Sequence, residues 1–238
     1  MGPPTACPRR ADPMRTAAID ERRRARAASL AGLYAVTPDL ADTARLVRDV
    51  EAALVGGARA IQYRNKVADS ALAHAQAAAL ARLCAAHRGL YIVNDDPALA
   101  AAVDADGVHL GEDDGAIAEA RERIGPERII GVSCYNRLEL AEAAVNAGAD
   151  YVAFGSFYAS SVKPGARRAD ISLLARARSL GVPVVAIGGI TAQNAHELFG
   201  AGADAVAAIS TVFDHAQSRD VEFAARAIDA AFRAARRS

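Results

Sequence analysis

Short β-branched runs alternate with longer Ala-, Leu- and Arg-rich stretches of helical period from about residue 30 to the end of the chain. Such alternation, with no linker to interrupt it, is typical of an α/β domain built on a parallel sheet. A helical pattern follows each run, so the chain contains eight successive βα units. The predicted strands are Gly32–Thr37, Ala60–Arg64, Leu90–Asn94, Gly107–Leu110, Ile129–Ser133, Tyr151–Gly155, Pro183–Gly188 and Ala205–Ser210.

A weak internal repeat marks the returns from helix to strand. It reads Gly57-Ala-Arg-Ala60, Asp104-Ala-Asp-Gly107, Ala147-Gly-Ala-Asp150 and Ala201-Gly-Ala-Asp204. A glycine just past a helix and a short return into a buried strand are what an αβ loop requires. Eight such units in about 200 residues predict a single-domain (β/α)8 TIM barrel. The rival is an open doubly wound sheet, which more often has a Gly-rich turn after its first strand; residues 34–38 have none.

The charge pattern sets the first 28 residues apart from the rest. They hold seven arginines and four prolines against three acidic residues, whereas the whole chain balances 28 basic with 28 acidic side chains. We therefore expect a disordered Arg/Ala/Pro-rich extension over residues 1–28 and one TIM-barrel catalytic domain over residues 29–238.

Composition also excludes several function classes. A net charge of zero argues against a nucleic-acid partner, and no apolar run is long enough for a signal peptide or a membrane span. The three cysteines are far apart and lack zinc-site spacing, which indicates a reduced, cytoplasmic protein. The expected partners are small molecules, and the oligomeric state stays open, a homo-oligomer included.

Polar side chains mark the end of the second predicted strand. A period of two places Gln62, Arg64 and, if the strand continues, Lys66 on the inner side. The chemistry of such barrels lies at the carboxyl ends of the strands, so three donors in one row favour an anion site. The alternative for Arg64 is an ion pair inside the barrel. Lys66 and Lys163 are the two lysines of the sequence, and a compact ammonium suits a phosphate oxygen.

Acidic residues follow the third and fourth strands. Asp96 is explained as the N-cap of a helix with Pro97 at its first position, an explanation that Asp95 does not share. Mg²⁺ is usually held by one or two carboxylates while substrate phosphates and water complete its shell. Asp95 and either Asp113 or Asp114 are therefore candidate Mg²⁺ ligands, although Asp114 could equally cap the next helix.

Hydroxyl groups and glycines end the later strands. His109 is expected to point inward as a hydrogen-bonded core histidine. Ser133 has no histidine beside it in sequence, so we interpret it as a hydroxyl that binds an anion and not as a nucleophile. The loop at 155–165 carries Lys163 and is typical of a flap that contacts phosphate. The Gly-Gly pair at 188–189 and the segment 208–210 follow the seventh and eighth strands, where barrel phosphate sites recur.

Taken in chain order, these motifs resemble those of the thiamine-phosphate synthase family. The resemblance runs from about Leu33 to Phe232 and rests on the segments 62–66, 93–96, 109–114, 131–133, 163–164, 187–191 and 208–210. It implies a transferase that joins hydroxymethylpyrimidine pyrophosphate to thiazole phosphate, or to the carboxylated form of that phosphate. The products would be thiamine phosphate and pyrophosphate.

The resemblance also implies a set of site residues. Mg²⁺ would be held by Asp95 and Asp114. The pyrimidine pyrophosphate would be bound by Gln62, Arg64, Lys66, Asn94, Ser133 and Lys163. Within that set the catalytic side chains would be those of Arg64, Lys66, Ser133 and Lys163. The thiazole phosphate would face Ser160, Gly189, Ile209 and Ser210.

Two positions depart from the family pattern and keep alternatives open. Val162 replaces a threonine that is usual in the phosphate loop, and Tyr135 stands where a histidine is common. One alternative is the thiazole tautomerase on the same barrel, which would not need a metal and whose motif has histidine in place of Tyr135. The others are a non-catalytic thiamine-phosphate binder, to which Val162 points, and a sugar-phosphate barrel enzyme of other specificity.

Overall fold

Eight parallel strands close into a barrel in the computed structural model, which describes residues 13–112, 114–159 and 168–237. Neighbours along the chain pair with each other, and the eighth strand pairs with the first. The strands are β1 Gly32–Val36, β2 Ala60–Tyr63, β3 Leu90–Asn94, β4 Gly107–Leu110, β5 Ile129–Tyr135, β6 Tyr151–Phe154, β7 Val184–Ile187 and β8 Ala205–Ala208. The predicted (β/α)8 barrel is confirmed.

Helices surround the barrel and return the chain from each strand to the next. A short 3-10 turn over Arg178–Leu180 completes the return to β7. The α-helices are α1 Pro13–Ala28, α2 Thr43–Val55, α3 Ser70–His87, α4 Pro97–Ala102, α5 Ile117–Ile124, α6 Leu138–Asn146, α7 Ser172–Ala177, α8 Ala192–Ala201, α9 Ser210–Phe213 and α10 Ser218–Ala235. Within the described ranges, no helix is long and apolar enough to cross a membrane.

The strand bounds differ from the predicted ones mainly at the carboxyl ends. β3 and β4 match, whereas β1, β2, β6, β7 and β8 end one or two residues early. β5 instead continues to Tyr135, with a shift of register between Ser133 and Tyr135. β8 gives way at Ser210 to the helix α9, so Ser210 starts a helix and does not end a strand.

Alternation of side chains divides the core into two layers. Ile61 and Tyr63 pack outward against the helices, while Ala60 joins the barrel interior with Tyr34 and Tyr151. Gln62, predicted to face inward, donates a hydrogen bond to the Tyr34 hydroxyl in that interior. The period of two therefore decides which side chains can reach the mouth of the barrel.

Helix α1 closes the amino end of the barrel, whereas the sequence predicted a disordered extension over residues 1–28. Residues 13–28 are helical, and residues 1–12 lie outside the described residues. Ala27 and Leu30 are buried against the barrel interior. Arg23 pairs with Asp150 at 2.8 Å. The prediction differs here because arginines of this Arg-rich segment are partnered by carboxylates at the base of the barrel.

The aspartates of the internal repeat have a structural role at the amino end. Asp106, Asp150 and Asp204 each precede an even-numbered strand, and each accepts a hydrogen bond from a backbone N–H at the start of the preceding odd-numbered strand. The donors are Tyr91 at 2.9 Å, Ile130 at 2.8 Å and Val184 at 2.9 Å. These bonds occupy N–H groups that the parallel ladder leaves free at the amino ends of β3, β5 and β7.

Candidate active site

The predicted site residues within the described ranges lie at the carboxyl ends of the strands, around one mouth of the barrel. Gln62 and Asn94 lie in β2 and β3, and Ser133 lies near the end of β5. The other described candidates follow strands: Arg64, Lys66, Asp95, Asp114, Gly189, Ile209 and Ser210. Ser160 and Lys163 lie outside the described residues, and their roles stay predictions.

Two residues of the β1 loop hold the cationic segment after β2 in place. The Thr37 hydroxyl donates to the Arg64 carbonyl and accepts from the Arg64 N–H, both at 2.8 Å. Asp39 accepts from the Arg64 guanidinium at 3.0 Å and from the Lys66 backbone N–H at 2.7 Å. The ion pair considered for Arg64 therefore exists, but it lies at the rim and not inside the barrel. Thr37 and Asp39 were not predicted from the sequence, because neither belongs to a series of alternating polar residues such as the one at the end of the second strand.

Two carboxylates and one ammonium meet between β3 and β4. The Lys66 ammonium forms an ion pair with Asp95. Burial, together with the neighbouring carboxylate of Asp114, raises the pKa of Asp95 against the opposing effect of Lys66. Asp114 is in turn oriented by the Gly111 N–H, which donates to Oδ2 at 2.7 Å. Asp95 is thus in contact with the Lys66 ammonium and interacts with the Asp114 carboxylate at the barrel mouth.

The backbone conformation explains why the side chains of Asp95 and Asp96 have different partners. Asp95 adopts a left-handed conformation with φ of 63°, and its N–H donates to the His109 carbonyl at 2.8 Å. Left-handed backbone is uncommon outside glycine, although aspartate tolerates it better than most residues. Asp96 instead caps α4, accepting from the N–H groups of Ala98 and Leu99 at 2.9 Å, as predicted.

The alternative role of Asp114 as a helix cap is wrong. Helix α5 begins at Ile117, and its N-cap is Ala116, which makes no side-chain capping bond. Asp114 lies two residues before this cap and bonds back to Gly111. Asp113, the other residue considered, lies outside the described residues. The carboxylate of Asp114 is therefore available to the site.

Ser133 has a histidine partner that is distant in sequence. His109 Nε2 lies 2.9 Å from the Ser133 Oγ, and His109 Nδ1 lies 3.0 Å from the hydroxyl of Tyr151. Burial lowers the pKa of His109 to about 4, so the imidazole is neutral at pH 7. The prediction of an inward-facing, hydrogen-bonded histidine is confirmed. Strand alternation could have indicated that Tyr151 faces inward, but no local signal pairs it with His109.

Glycines and a short helix form the β7 and β8 side of the mouth. Gly188 and Gly189 have φ of 108° and 62°, and a Cβ on Gly189 would lie 2.2 Å from the Ala159 carbonyl. Thr211 in α9 donates to the Ile190 carbonyl at 2.6 Å and so joins the two junctions. Ile209 and Ser210 are at the start of α9. Glycine is required at 189 both by backbone conformation and by the lack of space.

Comparisons with known proteins agree on one family. The sequence profile described as thiamine monophosphate synthase matches residues 33–212. The thiamine-phosphate synthase of Methylobacillus flagellatus is 58% identical over 195 residues, which cover 82% of this chain and 92% of that protein. The thiamine-phosphate synthase of Thiobacillus denitrificans is 55% identical over 204 residues, or 85% and 95% of the two chains.

A solved structure extends the comparison to the fold. The thiamine phosphate pyrophosphorylase of Pyrococcus furiosus superposes with a TM-score of 0.77 at 36% identity. The match covers 90% of this chain and 98% of that one. The two chains therefore share the barrel fold over most of their length.

Proposed function

Because this chain belongs to the thiamine monophosphate synthase family and is a transferase that makes thiamine phosphate, we propose that the barrel mouth described above is its active site. The observation that carries the proposal is the meeting of Asp95, Asp114 and Lys66 at the ends of β3 and β4. A reaction that releases pyrophosphate needs cationic groups and a metal site at one place, and this cluster is suited to both.

The β2 segment supplies the fixed positive charge for the pyrophosphate. Arg64 offers a planar fork of donors and Lys66 a compact ammonium, and both side chains are attached to backbone that Thr37 and Asp39 hold. We propose that the Lys66 ammonium exchanges Asp95 for a phosphate oxygen when substrate binds. Asn94, Ser133 and Lys163 complete this proposed subsite, with Gln62 against the pyrimidine.

The donor set fits Mg²⁺. Burial and the neighbouring Asp114 carboxylate raise the pKa of Asp95, and a divalent cation bound between the two carboxylates would relieve their repulsion. In the part of the chain that the structure describes, no three His, Cys, Asp or Glu side chains are grouped so that they could hold a metal ion by themselves. Mg²⁺ commonly takes one or two carboxylates and leaves its other positions to water and phosphate. When bound by Asp95 and Asp114, the ion would neutralise charge on the departing pyrophosphate.

The reaction needs no covalent intermediate on the protein. The bond between the pyrimidine methylene carbon and the pyrophosphate oxygen breaks, and its electron pair leaves with pyrophosphate. The lone pair of the thiazole nitrogen then forms the new carbon–nitrogen bond. The work of the protein is to hold the two substrates in line, to stabilise the leaving group and to exclude water as a competing nucleophile.

The β7 and β8 junctions are the proposed site for the thiazole phosphate. The absent side chain of Gly189 lets the Ala159 carbonyl approach this turn closely, and we propose that backbone N–H groups beside this close contact bind the phosphate. Ile209 and Ser210 flank the same opening, and Ser160 would join them from the loop after β6. The bond between Thr211 and Ile190 keeps the two junctions at a constant separation.

The test is formation of thiamine phosphate from the two phosphorylated substrates, read by fluorescence after oxidation to the thiochrome form. We expect product with Mg²⁺ and its loss with a chelator, restored by excess Mg²⁺. Assays with carboxylated and decarboxylated thiazole phosphate in parallel would identify the second substrate. Product formation that is insensitive to chelator would contradict the metal site, and no product from folded protein would contradict the proposed function.

We also propose a cytoplasmic enzyme whose partners are small phosphorylated molecules. Cys84 and Cys134 are free and buried, which suits a reducing compartment. Sedimentation of the purified chain would determine whether a homo-oligomer forms.

A further inference from the structure

A chain of hydrogen bonds crosses the barrel interior from β2 to β5. The Gln62 Nε2 donates to the Tyr34 hydroxyl at 2.8 Å, and the Tyr34 and Tyr151 hydroxyls lie 3.0 Å apart. The Tyr151 hydroxyl lies 3.0 Å from His109 Nδ1, and His109 Nε2 lies 2.9 Å from the Ser133 Oγ. Two residues of the proposed pyrimidine subsite, Gln62 and Ser133, are thus connected through three interior side chains.

The donor and acceptor in each bond of this interior chain follow from the hydrogen atoms that each group can donate. The Tyr34 hydroxyl accepts from Gln62 and has one hydrogen of its own, which needs an acceptor because the hydroxyl is buried. Donation to the Tyr151 hydroxyl, 3.0 Å away, supplies that acceptor. Tyr151 in turn donates to Nδ1 of His109, which therefore carries no hydrogen. The hydrogen of the imidazole is then on Nε2 and is donated to Ser133. The hydroxyl hydrogen of Ser133 remains for an acceptor outside the interior chain.

We propose that Tyr34 and Tyr151 are positioning residues that turn the Gln62 carbonyl oxygen and the Ser133 hydroxyl hydrogen toward the pyrimidine. This inference rests on the function proposed above. One acceptor and one donor suit the edge of an aminopyrimidine, where an exocyclic amine donates and ring nitrogens accept. The opposite direction would present donors at Gln62 and an acceptor at Ser133. The direction of the interior chain therefore determines which ligand edge the site recognises.

Packing keeps the interior chain in place. His109, Gly131 and Tyr151 are level in the barrel, since His109 pairs with Gly131 and Gly131 with Tyr151. A Cβ on Gly131 would lie 1.9 Å from the Tyr151 Cζ, so the absent side chain makes room for the ring. Tyr34 and Tyr151 are 1% and 0% exposed. Water therefore does not compete for their hydroxyls, and burial strengthens each bond.

The same proton count explains why Ser133 is not a nucleophile although it touches a histidine. A general base must have an unprotonated nitrogen facing the hydroxyl that it activates. Here the nitrogen that faces Ser133 carries the hydrogen, and the other ring nitrogen faces a tyrosine instead of a carboxylate. His109 can orient the serine hydroxyl but cannot remove its proton.

The first test reads the tautomer of His109 directly. Nitrogen-15 NMR of the full chain with labelled histidine, at neutral pH and without ligand, distinguishes protonated from unprotonated ring nitrogens. The His109→Asn variant identifies the signal among the five histidines. We expect hydrogen on Nε2 and none on Nδ1. Hydrogen on Nδ1 would overturn the proposed direction, whether or not the protein is active.

The second test separates positioning from a structural role. In Tyr151→Phe, we expect the KM for the pyrimidine pyrophosphate to rise about tenfold, with the KM for thiazole phosphate unchanged. Tyr34→Phe breaks the interior chain one step nearer Gln62 and should give the same split. The matched control is Tyr91→Phe, which removes a buried hydroxyl bond to the Ala77 carbonyl, 3.0 Å long, in the layer outside the barrel. We expect the control to change neither KM.

The outcomes distinguish this inference from the function on which it rests. An unchanged KM for the pyrimidine substrate in both Tyr34→Phe and Tyr151→Phe would overturn the positioning role. An equal rise for both substrates would do the same, because it would indicate general loosening. A wild-type chain that shows the expected tautomer but forms no product would contradict the proposed function, while the direction of the interior chain would stand.

Discussion

Charged side chains have different surroundings at the amino and carboxyl ends of the barrel. At the amino end, Asp150 accepts from Arg23 at 2.8 Å, from Arg121 at 2.6 Å and from the Ile130 N–H at 2.8 Å. At the carboxyl end, Asp95 adopts a left-handed backbone conformation and lies beside the carboxylate of Asp114. Burial and this neighbour raise the pKa of Asp95. The first arrangement satisfies its charges within the protein, whereas the second leaves negative potential that a ligand can neutralise.

This difference teaches that burial of a charge does not by itself mark a functional site. Asp150 is buried and Asp95 is half-buried, but of the two only Asp95 interacts with a neighbouring carboxylate that raises its pKa. A cavity of about 790 Å³ at the amino end is lined in part by paired charges. Among the residues that line it, Arg26 pairs with Asp106 and Arg233 with Asp229. We assign stability to the amino end and chemistry to the carboxyl end.

The largest effect is expected from a change that removes one charge from the pair of carboxylates, Asp95 and Asp114. Asp95→Asn keeps the shape of the side chain and a residue that tolerates left-handed backbone. We expect turnover to fall about a thousandfold, since a proposed metal ligand is lost, with the free energy of unfolding unchanged or higher. Steady-state assays and urea unfolding measure the two quantities. Wild-type turnover in this variant would contradict the metal assignment.

The corresponding change at the amino end should have the reverse outcome. Asp150→Ala leaves two arginines and one backbone N–H without their shared acceptor. We expect the free energy of unfolding to fall by about 4 kcal/mol. Turnover per folded molecule should match that of the wild type at low temperature. Loss of turnover in protein that circular dichroism shows to be folded would argue against the division between the two ends.

Acid should destabilise the folded protein because of His109, which lies in the barrel interior. Burial lowers the pKa of His109 to about 4 from an ordinary 6.5, so between these values the unfolded chain binds a proton that the folded chain does not. Stability from this residue is complete above pH 6.5 and falls as the pH drops toward 4, by about 3 kcal/mol in total. Urea unfolding across this range measures the slope. The slope should be smaller in His109→Asn, and an identical slope in both proteins would exclude His109 as the cause.

The smallest effect is expected when one cationic side chain replaces another at the same position. Lys66→Arg keeps the charge, but a forked guanidinium cannot take the place of a compact ammonium between carboxylate and phosphate. We expect turnover to fall about tenfold without a change in stability. Arg22→Lys is the matched exchange at the amino end, where an exposed pair with Glu127 contributes little. Equal kinetics for Lys66→Arg and the wild type would show that the ammonium is not required.

Much of the fold was predictable because local signals agree with one another. β-branched runs, alternation within each run and the Gly and Asp residues at the helix-to-strand returns all indicate eight βα units. The same alternation identified Gln62 and His109 as interior residues. The helical state of residues 13–28 was not predictable in this way, since it depends on carboxylates such as Asp150 that are more than a hundred residues away.

The contacts inside the site were harder to predict than its residues. Asp95, Asp114 and Lys66 were expected individually, and the barrel brings them together. Tyr34 and Tyr151 are 117 residues apart, and each looks like an ordinary strand residue. Only the closed barrel places their hydroxyls between Gln62 and Ser133. A sequence pattern indicates which side chains face inward, but barrel closure decides which of them meet.

The most direct test of the division between the two ends is thiamine-phosphate formation per folded molecule, measured side by side in Asp95→Asn and Asp150→Ala with saturating Mg²⁺. We predict that Asp150→Ala keeps wild-type turnover although it is less stable, and that Asp95→Asn loses turnover although it is at least as stable. An active Asp95→Asn variant, or an inactive but folded Asp150→Ala variant, would contradict the account.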